Sequence, residues 1–185
     1  MKNIPKRKPT RLYNYDYNSC GAYFITICTE NRRQILSRII RGNDPENPIN
    51  IELSPYGIIA EKYIRQLNDF YDDIEIDRYV IMPDHIHIML FVNQFGASRT
   101  SPIDFNQFGA SRTSPPTTTS SKQHSTVSQF VSTFKRFCNK EYGGNVWQRH
   151  FNDHIIRDRE DYETHIKYIH ENPIRRYNDD NPSST

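Results

Sequence analysis

Met82-Pro83-Asp84-His85-Ile86-His87-Ile88-Met89-Leu90 decides how this 185-residue chain is read. Met82-Pro83-Asp84 has the make-up of a short turn, and His85 to Val92 that of a strand. Side chains alternate along a strand, so His85, His87, Met89 and Phe91 share one face and Ile86, Ile88, Leu90 and Val92 the other. A strand apolar on both faces belongs in the middle of a sheet covered on both sides. Two imidazoles side by side on such a strand can hold one metal ion with positions left open. Two partly buried histidines hydrogen-bonded in a core would give the same string.

Working outward, Ile74–Ile81 reads as the strand before the turn, and Ala22–Thr29 as an earlier central strand. Residues 34–53 read as two weak edge strands around a Gly42–Pro48 turn. Ser54 and Pro55 open a helix whose expected core contacts are Ile58, Tyr63 and Leu67. Val127, Phe130, Val131 and Phe134 recur at helical spacing up to Gly143-Gly144, and a last strand is expected at Asp153–Arg157. A final helix is expected from Arg159 to Glu171, with Asp158 as N-cap and Pro173 as its stop. Its apolar stripe is Tyr162, Ile166 and Ile169, whereas His165, Tyr168 and Asn172 fall along a second face. The order strand, helix, strand, strand, helix, strand gives an α+β ferredoxin-like sandwich. The central sheet is antiparallel, has helices on its faces, and carries an extra C-terminal helix that can set Tyr168 over the histidine pair.

Charge and composition bound the rest. The net charge is +2, yet the first eleven residues hold Lys2, Lys6, Arg7, Lys8 and Arg11 with no acid. Such an arm, broken by Pro5 and Pro9, suits phosphate contacts or a solvated terminus. Tyr13, Tyr15, Tyr17 and Tyr23 follow it, and fit either base stacking or strand packing. Asn93–Pro102 recurs unchanged as Asn106–Pro115, which reads as a duplication in a disordered loop. The expected organisation is therefore an arm at 1–11, one domain at 12–175 interrupted by a loop at 93–127, and a tail at 176–185. Cys20, Cys28 and Cys138 form no paired motif and read as free thiols. No apolar run is long enough for a membrane span and no secretory leader is evident, so a cytoplasmic protein is expected.

The histidine pair and three further motifs carry a resemblance. The His85-Ile86-His87 pair resembles the HUH motif, two histidines around a hydrophobic residue. Trp147-Gln148-Arg149, His154-Ile155-Ile156-Arg157-Asp158 and Tyr168-Ile169-His170-Glu171-Asn172-Pro173 resemble the C-terminal half of the REP-associated tyrosine transposases. These belong with the single-tyrosine HUH transposases of bacterial insertion sequences. The resemblance covers roughly residues 12–92 and 125–175, and the loop at 93–127 departs from the pattern.

The resemblance implies a divalent metal, Mg²⁺ or Mn²⁺, and cleavage and joining of single-stranded DNA. By position, His85 and His87 match the metal histidines and Tyr168 the nucleophile. Asn172 matches a third metal ligand, where other insertion-sequence members carry glutamine. The implied partner is a DNA hairpin with an adjacent unpaired stretch, its phosphates met by the arm, Arg175 and Arg176. The protein would act as a monomer or homodimer. Two other classes remain open on these residues. One is a DNA-hairpin-binding protein without turnover; the other is a hydrolytic phosphodiesterase using His85 and His87 with water.

Overall fold

The computed structural model describes residues 20–43, 48–93 and 125–182. The basic arm, the tyrosines at 13, 15 and 17 and both copies of the repeat beyond Asn93 lie outside the described residues.

A four-stranded antiparallel sheet has the order β4-β5-β1-β6, formed by β1 (Gly21–Cys28), β4 (Ile74–Ile81), β5 (His85–Val92) and β6 (Asn152–Ile156). Helices α1 (Pro55–Phe70) and α2 (Thr126–Tyr142) connect these strands, and α3 (Arg159–Asp180) follows them. This is the ferredoxin-like arrangement of two interleaved strand–helix–strand units. The strand bearing the histidines is internal, paired with β1 on one side and β4 on the other.

The two faces of β5 serve different cores. Ile86, Ile88, Leu90 and Val92 pack with Tyr23, Ile25 and Ile27 of β1 against α1 and α2. Met89 and Phe91 pack with Ala22, Phe24, Val80 and Ile156 against Ile169 of α3. Tyr23 is therefore a core side chain, fully buried, and its packing role excludes base stacking.

The ends of the helices follow from capping chemistry. The Ser54 hydroxyl accepts from the backbone N–H groups of Tyr56 and Gly57, with Pro55 at the first helical position. Gly143 terminates α2 in the left-handed conformation, φ 74°. Asp158 caps α3 by accepting from the Asp161 N–H at 2.9 Å.

Three expectations need correction. The strands at 34–53 are real, but β2 (Ser37–Arg41) and β3 (Ile49–Leu53) pair only with each other, as a separate two-stranded sheet. Ile39 and Ile51 of this hairpin pack on the α3 side of the core. Ile58 is 56% exposed, because the buried stripe of α1 runs through Gly57, Ala60, Ile64 and Leu67. One residue turns a helix by about 100°, which is enough to carry Ile58 off that stripe. Gly57 sits so close to the Leu36 carbonyl that any β-carbon there would collide with it, and this proximity fixes the rotation of the helix.

The third correction concerns Pro173. It does not stop α3, which continues to Asp180, so the tail expected from residue 176 is helical to that point. Proline removes one N–H from the ladder and disfavours the helix, but it does not forbid it. The Arg175–Glu171 pair at 2.6 Å spans the proline, and Arg176–Asp180 at 2.9 Å follows it.

The corrected rotation of α1 sets an expectation for stability. Ile64→Ala should cost ~2–5 kcal/mol in urea unfolding, whereas Ile58→Ala should change stability by less than about 0.5 kcal/mol. Comparable losses at both positions would contradict the assigned face.

Candidate functional site

The site begins with strand register. Thr26 of β1 lies opposite His87, and Cys28 opposite His85. The Thr26 hydroxyl is 2.9 Å from His87 Nδ1. Asp84, in the turn before β5, has a carboxylate oxygen 2.6 Å from His85 Nδ1. Each imidazole is thus held from behind by a polar partner, and the two Nε2 atoms meet in front at 3.0 Å. Two ligands at right angles around one ion, each about 2.1 Å from it, also lie about 3.0 Å apart. The spacing fits shared coordination of a single divalent ion.

Protonation agrees with that fit. Burial, then the charges of His85 and Arg32, pull the His87 imidazole down to about 3, so it stays neutral and keeps a lone pair. For Asp84, burial acts to raise the carboxyl. The hydrogen bond and charge of His85, with Arg32 and Arg176, outweigh it and hold Asp84 below the usual carboxylate range. The Asp84 carboxylate accepts from His85 Nδ1–H, and in the neutral tautomer that bond selects, His85 Nε2 is available to an ion. The Thr26 hydroxyl can donate to His87 Nδ1 or accept from it. His87 can therefore carry its proton on Nε2, donated to His85, or on Nδ1, with Nε2 free for a cation.

Helix α3 supplies the other wall. Its apolar stripe, Tyr162, Ile166 and Ile169, packs on the sheet. The Tyr162 hydroxyl donates to Asp77 at 2.6 Å, beside an irregularity in β4 between Ile76 and Arg78. This docking brings the Tyr168 ring to 5.2 Å from the His87 ring and 6.0 Å from Phe24, edge-on to both. Tyr168 keeps 38% of its surface exposed, so the phenol lies at the histidine pair and is still open to a ligand.

Asn172, one turn further along α3, is buried and forms no side-chain hydrogen bond with the described residues. One more turn brings Arg176 into electrostatic range of Asp84. The row Tyr168, Asn172, Arg176 therefore follows the line from His87 towards Asp84. The Asn172 carboxamide oxygen would be free, as far as the described residues go, to join an ion held by the two Nε2 atoms. The donor set of two imidazoles and an amide oxygen fits a divalent cation with open positions.

The remaining expected residues lie further out. Arg175 is exposed and pairs with Glu171, and Arg176 pairs with Asp180 on the same helix. Trp147 is a core residue, 5.3 Å from Phe134. The backbone carbonyls of Gln148, Arg149 and His150 accept from Lys135 Nζ at 2.8, 3.4 and 3.2 Å, which ties down the segment before β6. A cleft of about 540 Å³ opens beside Pro83, between the β2–β3 hairpin and the end of α3, with Arg38, Glu52 and Tyr177 on its walls.

Sequence reasoning did not assign Thr26, Asp84 or Arg32. Asp84 was signalled by its adjacency to His85, but Thr26 is brought in only by register. Arg32 forms an ion pair with Asp84 at 3.5 Å from a segment where Asn31 and Arg32 are both left-handed, φ 55° and 54°. No sequence pattern announces that turn.

Comparisons with known proteins point the same way. No family model matches the chain. An uncharacterized protein of Haemophilus influenzae is 32% identical over 173 residues, covering 92% of this chain and 90% of that protein. A protein of the same organism described as a putative REP-associated tyrosine transposase is 26% identical, covering 88% of this chain and 76% of that protein. Among solved structures, a REP-associated tyrosine transposase bound to a REP hairpin superposes with a TM-score of 0.56 at 19% identity. That match covers 90% of this chain and 74% of the other, and at this identity it shows the shared fold. With relatives over nearly its whole length and the same fold, the chain is related to the REP-associated tyrosine transposases.

Proposed function

We propose that this transposase cleaves and rejoins single-stranded DNA through a 5′-phosphotyrosine on Tyr168, with His85, His87 and Asn172 holding a divalent metal ion. The observation that carries the reading is the approach of the Tyr168 ring to 5.2 Å from His87, where the two Nε2 atoms converge at 3.0 Å. Phenol and imidazoles come from one chain, which favours cleavage in cis.

The chemistry needs a nucleophile, a held phosphate and a leaving group. The Tyr168 oxygen attacks the phosphorus of a DNA phosphodiester. A phosphorus–oxygen bond to the tyrosine forms as the bond to the 3′-oxygen breaks, so the 5′-phosphate stays on the enzyme. The phenol gives up its proton and the departing 3′-oxygen takes one up. Bound Mg²⁺ or Mn²⁺ would supply Lewis-acid stabilisation of the charge developing on the phosphate. Asp84 and Thr26 orient the two imidazoles, and Phe24, stacked 5.0 Å from His87, fixes the floor beneath them. Because one phosphodiester is exchanged for another, the freed 3′-hydroxyl can attack the phosphotyrosine and reseal or transfer the strand without a nucleotide cofactor.

The relative solved with a REP hairpin suggests the substrate, a DNA hairpin with an unpaired flank. Lys2, Lys6, Arg7, Lys8 and Arg11 would neutralise phosphates of the paired stem, with Arg175 and Arg176 nearer the cut. The cleft beside Pro83, in the turn that precedes the histidine strand, offers space for unpaired bases, with Tyr177 on its wall.

Two measurements test the reading. Incubation with labelled hairpin oligonucleotide and Mn²⁺ should yield a protein–DNA species that survives denaturing electrophoresis and disappears in Tyr168→Phe. Free cleaved ends without that species would favour a hydrolase, and binding without cleavage would favour a hairpin-binding protein. Secondly, Asp84→Asn and Thr26→Val should each weaken Mn²⁺ affinity by ~10–100-fold, as loss of a ligand-orienting partner does. Unchanged affinity in both would remove the metal from the histidine pair.

A further inference from the structure

Beside the histidine pair, on the edge strand of the sheet, lies a second cluster that the proposed chemistry does not use. His154 of β6 has its Nε2 2.9 Å from one carboxylate oxygen of Asp161 and 3.0 Å from the other. His165, one turn beyond Asp161 on α3, has its Nδ1 3.1 Å from Asp161 Oδ1. The imidazoles of His154 and His165 stack, with centroids 4.5 Å apart and planes inclined by 20°. Among the described residues, this is the group of three His, Cys, Asp or Glu side chains whose ligand atoms all lie within 4.8 Å of one another.

We propose that His154, Asp161 and His165 form a second, independent metal site, suited to Zn²⁺, that fastens the tyrosine helix to strand β6. Asp161 Oδ1 lies 3.0 Å from His154 Nε2 and 3.1 Å from His165 Nδ1, close to the separations between neighbouring ligands around one ion at about 2.1 Å. Two ligands one turn apart on a helix and a third from an adjoining strand need no rearrangement of the backbone. Nδ1 of His165 also lies 2.8 Å from the Asp161 carbonyl, a bond that coordination through that nitrogen would replace. The Arg157 N–H donates to Asp161 Oδ2 at 3.1 Å and orients the carboxylate from behind. Asp161 is held below the usual carboxylate range. Burial opposes this, and it is outweighed by the bonds from His154 and the Arg157 N–H and by the charges of His154 and His165.

The donor set resembles that of the first site, with a carboxylate in place of the amide oxygen. Two imidazoles with one carboxylate suit a borderline ion such as Zn²⁺. The position of β6 at the sheet edge, with His154 42% exposed, leaves coordination positions for water. The Phe24 ring stands between the sites, 4.7 Å from His165 and 5.0 Å from His87, so the two ions would not share ligands. Occupancy would clamp the first two turns of α3 to the sheet, and Tyr168 stands on the next turn of that helix.

Calorimetric titration with ZnCl₂ separates this proposal from the reading of the histidine pair. With His85→Ala and His87→Ala combined, one Zn²⁺ should still bind. Adding His154→Gln, a change at a half-exposed edge position, should weaken that binding at least tenfold. His165→Gln in the same background should do likewise, while circular dichroism reports an intact fold in each protein. Loss of all Zn²⁺ binding in the double variant, or binding indifferent to both glutamine substitutions, would overturn the second site. Neither result bears on the DNA adduct formed by Tyr168.

Discussion

The site depends on two imidazoles being pinned from behind. Thr26 and Asp84 take the Nδ1 positions of His87 and His85, so both Nε2 atoms turn to the same point, 3.0 Å apart. Pairing with β1 places Thr26, and the tight turn at Met82-Pro83-Asp84 places the carboxylate. The Thr29 N–H and hydroxyl both donate to the Asp84 carbonyl at 3.0 Å, and the Leu36 N–H donates to the Pro83 carbonyl at 3.0 Å. A flexible loop could not hold the rings to this tolerance.

The second requirement is that a helix outside the basic sandwich covers the same face. Apolar contacts of Ile166 and Ile169 supply the drive, and the Tyr162–Asp77 hydrogen bond fixes where the helix lands. Burial and that bond with Asp77 push the Tyr162 phenol well above its ordinary range, so it remains a donor. The next face of α3 then carries Tyr168, Asn172 and Arg176 along the line of the histidine strand. Continuing the helix past Pro173 extends that row by one more turn and brings Arg176 towards Asp84. Tyr168, by contrast, retains access to solvent.

Much of this was legible because it rests on periodicity. The alternation from His85 to Val92 told which side chains share a face, and the stripe through Tyr162, Ile166 and Ile169 told which face of α3 packs and which carries Tyr168. Ser54, Asp158 and Gly143 marked helix ends through local hydrogen bonding that a short window of sequence contains. What could not be read depends on contacts between distant segments. The rotation of α1 is set by the approach of Gly57 to Leu36, so Ile58 and Ala60 could not be ranked from their hydrophobicity. The β2–β3 hairpin has ordinary strand propensity, and nothing local told that it would stand apart from the main sheet. Pro173 looked like a stop because propensity disfavours proline inside a helix without forbidding it, and the turns across and beyond it carry the Arg175–Glu171 and Arg176–Asp180 pairs. Thr26 and the cluster of His154, Asp161 and His165 exist only once β6, β1 and α3 are assembled.

The central claim is that one divalent ion sits between the two imidazoles and faces the phenol. A crystal structure of the protein with Mn²⁺, with anomalous scattering recorded at the manganese edge, tests it directly. The account predicts an anomalous peak within coordination distance of His85 Nε2, His87 Nε2 and the Asn172 side-chain oxygen, with the Tyr168 hydroxyl turned to an open position on the ion. A histidine pair still joined by its own hydrogen bond at saturating Mn²⁺, or an ion bound there with Tyr168 directed away into solvent, would contradict it.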